Sequence, residues 1–220
     1  MGDLLVRADS LSRTYRRGAQ SVLAVDRVDC TVFAGARIAL EGRSGSGKST
    51  LLQMLGGIET PTSGSLVWPG LGARDTLRPG KIAMVFQRES LLEPLSVVEN
   101  VELPLVLAGT APHEARALAL EALSRLELRE LRDKLPDELS GGQSQRVAFA
   151  RAIAQRAPLI LADEPTGQLD SHTADRFLTR ALALLERDGT ALVVATHDVR
   201  LAARMESRWR MERAQLKVVA

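Results

Sequence analysis

Residues 42–49 read Gly-Arg-Ser-Gly-Ser-Gly-Lys-Ser, between a short apolar stretch, Arg37 to Leu40, and a helix-forming one, Lys48 to Leu55, that ends at Gly56-Gly57. The pattern G-x-x-x-x-G-K-[ST] between a strand and a helix restricts the fold more than any other feature of the chain. Gly45 and Gly47 let the backbone turn tightly and aim successive N–H groups at phosphate oxygens. The helix N-terminus adds its dipole. Lys48 offers a cation to the β- and γ-phosphates and Ser49 a hydroxyl to Mg²⁺. Alone, the loop implies binding of a nucleoside triphosphate and nothing more.

The rest of the pattern is that of a chain alternating strands and helices. Leu4 to Ala8 and Arg27 to Phe33 are short apolar or alternating runs, and Ile82 to Phe86 is a compact buried strand. From Arg88 to Ala157 no strand is evident; Ala115, Leu118, Ala119, Ala122, Leu123 and Leu126 recur at helical spacing, and a second helix is expected from about Gly141 to Gln155. Leu159 to Ala162 is again a fully apolar strand. Ala174, Phe177, Leu178, Ala181, Leu182 and Leu185 repeat the helical period, and Asp188-Gly189 turns the chain into the strand Ala191 to Ala195. Such alternation implies a mostly parallel sheet covered on both faces. A core of residues 1–87 and 158–220, interrupted by a helical subdomain at about 88–157, follows.

Hydrolysis enters with Leu159-Ile160-Leu161-Ala162-Asp163-Glu164. A buried strand would deliver Asp163 to Mg²⁺ and Glu164 to a water near the γ-phosphate, where a carboxylate can orient the water and take up its proton. Two acidic residues after an apolar run are weak evidence alone; beside the phosphate loop they become strong.

Composition narrows the partners. Of 29 basic residues 25 are Arg, scattered and nearly balanced by 27 acidic ones, and aromatics make up 3% of the chain, so nucleic-acid binding is not expected. No apolar run reaches the ~20 residues of a membrane span, and no signal peptide is evident. The three histidines, His113, His172 and His197, lack metal-ligand spacing. Cys30, among Val28, Val32 and Phe33, is expected to be buried and inert.

Leu139-Ser140-Gly141-Gly142-Gln143, followed by Gln145-Arg146-Val147-Ala148, resembles the signature of ABC ATPases, and the resemblance covers essentially the whole chain. It implies an α/β P-loop NTPase (RecA-like) core with an N-terminal antiparallel β subdomain and the inserted helical subdomain. It also implies that two chains pair head to tail around two ATP molecules. Each site is then completed in trans by Ser140, Gly141, Gly142 and Gln143, with Asp170 as the aspartate of the following loop. ATP would be held by Tyr15, stacked on adenine, and by Gly42, Arg43, Ser44, Gly45, Ser46, Gly47, Lys48, Ser49 and Thr50. Glu164, His197, Gln87 and Lys48 would be catalytic, and Ser49, Gln87 and Asp163 would serve Mg²⁺. Without the resemblance, Tyr15 reads equally as a core or a surface residue.

Some positions depart from the family pattern: Glu41, where an apolar residue is usual; Arg43, in place of a frequent proline; Ser144; and Gln168. None removes a catalytic group, so an active ATPase is expected. The stretch from Phe86 to Leu105 looks like the LolD/MacB/FtsE branch, whose members drive transmembrane permeases for lipoprotein release, macrolide or peptide efflux, haem export or cell-wall control. Its apolar residues would line a groove for a short helix of the permease, and the chain would sit at the inner face of the cell membrane. A soluble or regulatory ABC ATPase is the alternative class.

Overall fold

The computed structural model describes residues 2–18, 20–87 and 90–219, which form two compact units, residues 1–77 with 191–220 and residues 78–190. Arg88 and Glu89, part of the stretch read as a permease groove, lie outside the described residues.

The first unit opens with a long antiparallel pair, β1 (Leu4–Arg17) and β2 (Gln20–Phe33). Both strands run far beyond the segments legible in the sequence because four register shifts break their alternation, two of them at residues with positive φ. Ala8 pairs with Cys30 and Leu11 with Val28, so β1 carries one extra residue there; Ser10 takes φ 48°. Leu11 pairs with Val28 and Arg13 with Val25, so β2 carries the extra residue at the second bulge, where Arg27 takes φ 45°. Each bulge frees an N–H from the ladder, and a side chain accepts it: Asp29 Oδ1 from Ser10 at 2.7 Å and Ser12 Oγ from Arg27 at 2.9 Å. The slips keep Ala8, Leu11, Val25 and Val28 all buried on one face. β4 (Ser63–Val67) completes this antiparallel sheet beside β1.

In the same unit, β3 (Arg37–Glu41) lies parallel to β7 (Ala191–Thr196) on one side and to β8 (Ser207–Glu212) on the other; β9 (Gln215–Val219) closes antiparallel on β8. β7 is buried at every residue. The hairpin β8–β9 is absent from the sequence reading. Its turn residues, Arg213 and Ala214, both take positive φ, 49° and 66°, without the Asn-Gly or Asp-Gly pair that announces such turns. α1 (Lys48–Leu55) buries Leu51, Leu52, Met54 and Leu55, and the short α6 (Val199–Ala202) follows β7.

The second unit holds β5 (Ile82–Val85) and β6 (Leu159–Asp163), paired in parallel, with α2 (Val97–Leu107), α3 (Pro112–Arg125), α4 (Gly141–Ala154) and α5 (Ser171–Arg187). α2 lies inside the expected helical subdomain, but its bounds are not legible in the sequence: Ser96 and Glu99 form a full capping box at its start, while Pro104 in its interior obscures the pattern. Phe149 of α4 meets Phe177 of α5 edge to face at 5.5 Å.

Candidate functional site

The phosphate loop hangs between β3 and α1. Gly47, the residue before the helix, has φ 104°, and a Cβ there would run into the carbonyl oxygen of Ala24 and lie 2.9 Å from Met211 Cε. Only glycine fits both the dihedral and the space. Lys48 is buried in the first helical turn and curls back, donating to the carbonyl oxygens of Gly42 at 2.8 Å and Arg43 at 3.3 Å. The loop thereby holds its ammonium at the mouth of its own backbone ring. Ser46 Oγ is buried with no hydrogen-bond partner, an orphaned donor in a loop shaped for an anion. Ser49 and Thr50 are half-buried on α1.

An open cleft of about 830 Å³ runs along this loop, lined by Gly42 to Ser46, Thr196, His197 and Arg210 among others. The fold thus brings His197, at the end of β7, to the cleft that Gly42 lines. Glu41 has Thr196 and Arg210 as registered neighbours; polar company on both sides explains why this strand end need not be apolar. Tyr15, on β1, is half-buried; its hydroxyl donates to Glu59 Oε2 at 3.0 Å and the Arg13 guanidinium sits 4.6 Å from its ring centre. One ring face is therefore taken by a cation.

In the second unit, β6 ends on Asp163, and Glu164 follows with φ 47°, a left-handed conformation costly for a residue with a side chain. Glu164 is buried. Gln87, just beyond β5, is exposed. Ser140 caps α4: its hydroxyl accepts from the Gln143 N–H at 3.2 Å, and Gln143 Oε1 accepts from the Ser140 N–H at 2.9 Å. Gln143 is thus engaged in holding the helix start. The Ser140 hydroxyl keeps its proton for an outside acceptor, and Gly141 and Gly142, as the first helical residues, have N–H groups with no partner inside the helix. Asp170 caps α5, accepting from His172 and Thr173 at 3.0 Å each. The bonds from Thr173, and less so that from His172, hold its carboxyl below the usual carboxylate range.

Residues 25–167 match the family model for the ABC transporter. The chain belongs to the ABC transporter family. It is 43% identical to the lipoprotein-releasing system ATP-binding protein LolD of Novosphingobium aromaticivorans, covering 94% of this chain and 95% of the relative. It is 38% identical to the LolD of Chromohalobacter salexigens over 97% of this chain and 93% of the relative. Among solved structures it resembles the dimeric bacterial ABC transporter cassette MJ0796, with a TM-score of 0.90, 36% identity and 97% coverage of both chains. It equally resembles the post-hydrolysis dimer of that cassette bound to ADP and Pi, with a TM-score of 0.90, 35% identity and 98% of this chain covered.

The ABC cassette fold, with its parallel sheet and antiparallel N-terminal sheet, is the one expected, and the chain is an ATP hydrolase of the ABC type. Among the described residues no group of three or more His, Cys, Asp or Glu is arranged to hold a metal. The oxygen donors assigned to Mg²⁺, a serine hydroxyl, an amide and a carboxylate, suit an ion held by few protein groups and by substrate phosphates. No helix among the described residues is long and apolar enough to cross a membrane. One residue that the motif reading passed over is Gln145: the family run contains it, yet nothing in its spacing reveals what its side chain touches.

Proposed function

We propose that this chain is the ATP-hydrolysing subunit of a lipoprotein-releasing transporter, working as a head-to-tail pair on a transmembrane permease at the inner face of the cell membrane. The observation that carries the reading is near-complete alignment, at 38–43% identity, with relatives named LolD. The LSGGQ run at the start of α4, with two helical N–H groups unpaired within the helix, suits a γ-phosphate presented by a second copy.

In this scheme residues 42–50 cradle the phosphates and Tyr15 stacks on adenine. Ser49, Gln87 and Asp163 would hold Mg²⁺, whose charge would offset that of the phosphates. Glu164 orients the attacking water and accepts its proton, and His197 and Lys48 contact the γ-phosphate. Ser140, Gly141, Gly142, Gln143 and Asp170 serve the partner's site. Residues 1–87 and 158–220 act as the catalytic core, and 88–157 as the helical subdomain. Exposed apolar residues of the second unit, Leu92 (46% exposed) and Leu107 (68%), are the kind that a membrane partner would cover.

The test is Glu164→Gln with ATP and Mg²⁺. Light scattering should report a stable dimer, and hydrolysis should be lost. A chain that stays monomeric both in solution and on permease-containing membranes would refute the pairing. A neighbouring reading frame encoding a four-helix permease with a large extracytoplasmic domain would support the transport assignment; one encoding a permease with a solute-binding protein would oppose it.

A further inference from the structure

Gln145 sits one turn into α4 and is 7% exposed. A buried carboxamide needs partners at both ends, and this one has them on a single loop. Nε2 donates to the carbonyl oxygen of Glu164 at 2.7 Å, and Oε1 accepts from the N–H of Gln168 at 3.0 Å. The two contacts bracket the turn that leaves β6 and enters α5. The turn is itself tight: Gly167 N–H also donates to the Glu164 carbonyl at 3.1 Å, and Leu169 N–H to Thr166 O at 3.0 Å. Glu164 holds φ 47°, which persists only where surrounding contacts enforce it.

The start of α4 closes on the same turn. A Cβ on Gly142 would lie 2.8 Å from Leu169 Cδ2 and 3.0 Å from the Gln168 carbonyl oxygen, and one on Gly141 would run into the Gln168 side-chain amide. At Gly142 the fixed Gln168 carbonyl leaves little room for a side chain, whereas at Gly141 the flexible Gln168 side chain would have to swing aside. Gln145 is the polar tie across this packed seam.

We propose that Gln145 is a positioning residue for hydrolysis, fixing the backbone of Glu164 and the 167–170 turn to the first turn of α4 so that the carboxylate and the Ser140–Gly142 N-terminus move as one piece. Its wider consequence rests on the pairing described above. If α4 meets the nucleotide of one site while Glu164 serves the other, this tie carries the state of one site to its neighbour.

The experiment uses the full chain with Gln145→Met, of similar length but without hydrogen bonds, and Gln145→Glu, which keeps the acceptor for Gln168 and loses the donor to Glu164. Steady-state hydrolysis should show kcat at least tenfold lower in both. KM and magnesium-free ATP affinity should stay within twofold, since the phosphate loop is untouched, and ATP-driven dimerisation in a Glu164→Gln background should persist. Should Gln145→Met not fold, Gln145→Glu gives the same reading. A kcat within twofold of the parent, with or without a lower melting temperature, overturns the proposal, as does a parallel loss of nucleotide affinity. If Glu164→Gln alone fails to dimerise, the pairing falls, while the split between kcat and KM still decides the role of Gln145.

Discussion

Asn100 is fully buried in α2, and its side chain knits the loop ahead of that helix. Oδ1 accepts from Leu92 N–H at 2.7 Å; Nδ2 donates to the carbonyl oxygens of Leu95 at 2.9 Å, Leu92 at 3.1 Å and Ser96 at 3.2 Å. Two amide hydrogens cannot serve three acceptors fully, so the side chain counts for three bonds. At about 1 kcal/mol net each, Asn100→Ala should cost about 3 kcal/mol, and more where the Leu92 N–H is left dry. For a chain of 220 residues each kcal/mol shifts Tm by about 2–4 °C, so a fall of about 6–12 °C is expected. Asn100→Asp should cost at least as much, because it turns an acceptor-only group toward three carbonyls. Urea and thermal denaturation, followed by far-ultraviolet dichroism, measure this. A change under about 0.5 kcal/mol for Asn100→Ala would refute the reasoning, since it would mean that water replaces every bond.

Tyr15→Ala should weaken ATP binding by about 1–3 kcal/mol if the free ring face stacks on the base, whereas Tyr15→Phe, which loses only the hydrogen bond to Glu59, should bind nearly as the parent; equal affinities for all three by fluorescence titration would rule stacking out. Lys48→Ala should abolish phosphate release, and unchanged turnover would contradict the role given to its ammonium. Burial, with a smaller contribution from the neighbouring Asp29, pushes the Cys30 thiol up to about 12. The native chain should therefore resist thiol reagents at pH 8 and react once unfolded. Because the folded value is the raised one, the associated stability is complete below the ordinary thiol pKa and is lost as pH climbs toward 12. Fast labelling of the native chain would show that the site is open.

The chemistry of this protein was legible because it is local. An eight-residue run dictates where the N–H groups of residues 42–49 point, and LSGGQ dictates a capped helix start in the same way; neither needs a distant partner to be recognised. The strands Arg37 to Leu40, Leu159 to Ala162 and Ala191 to Ala195 were equally plain, since burial on both faces demands unbroken apolar runs. Tertiary structure decided what depends on remote contacts. The bulges at Ser10 and Arg27 are stable because Asp29 and Ser12, across the ladder, accept their freed N–H groups, and without those partners the broken alternation reads as loop. The β8–β9 hairpin turns through Arg213-Ala214 because pairing on both sides enforces positive φ on residues that do not favour it. Gln145 is one more polar residue on a helix until folding brings Glu164 and Gln168, 19 and 23 positions further on, to the two ends of its amide.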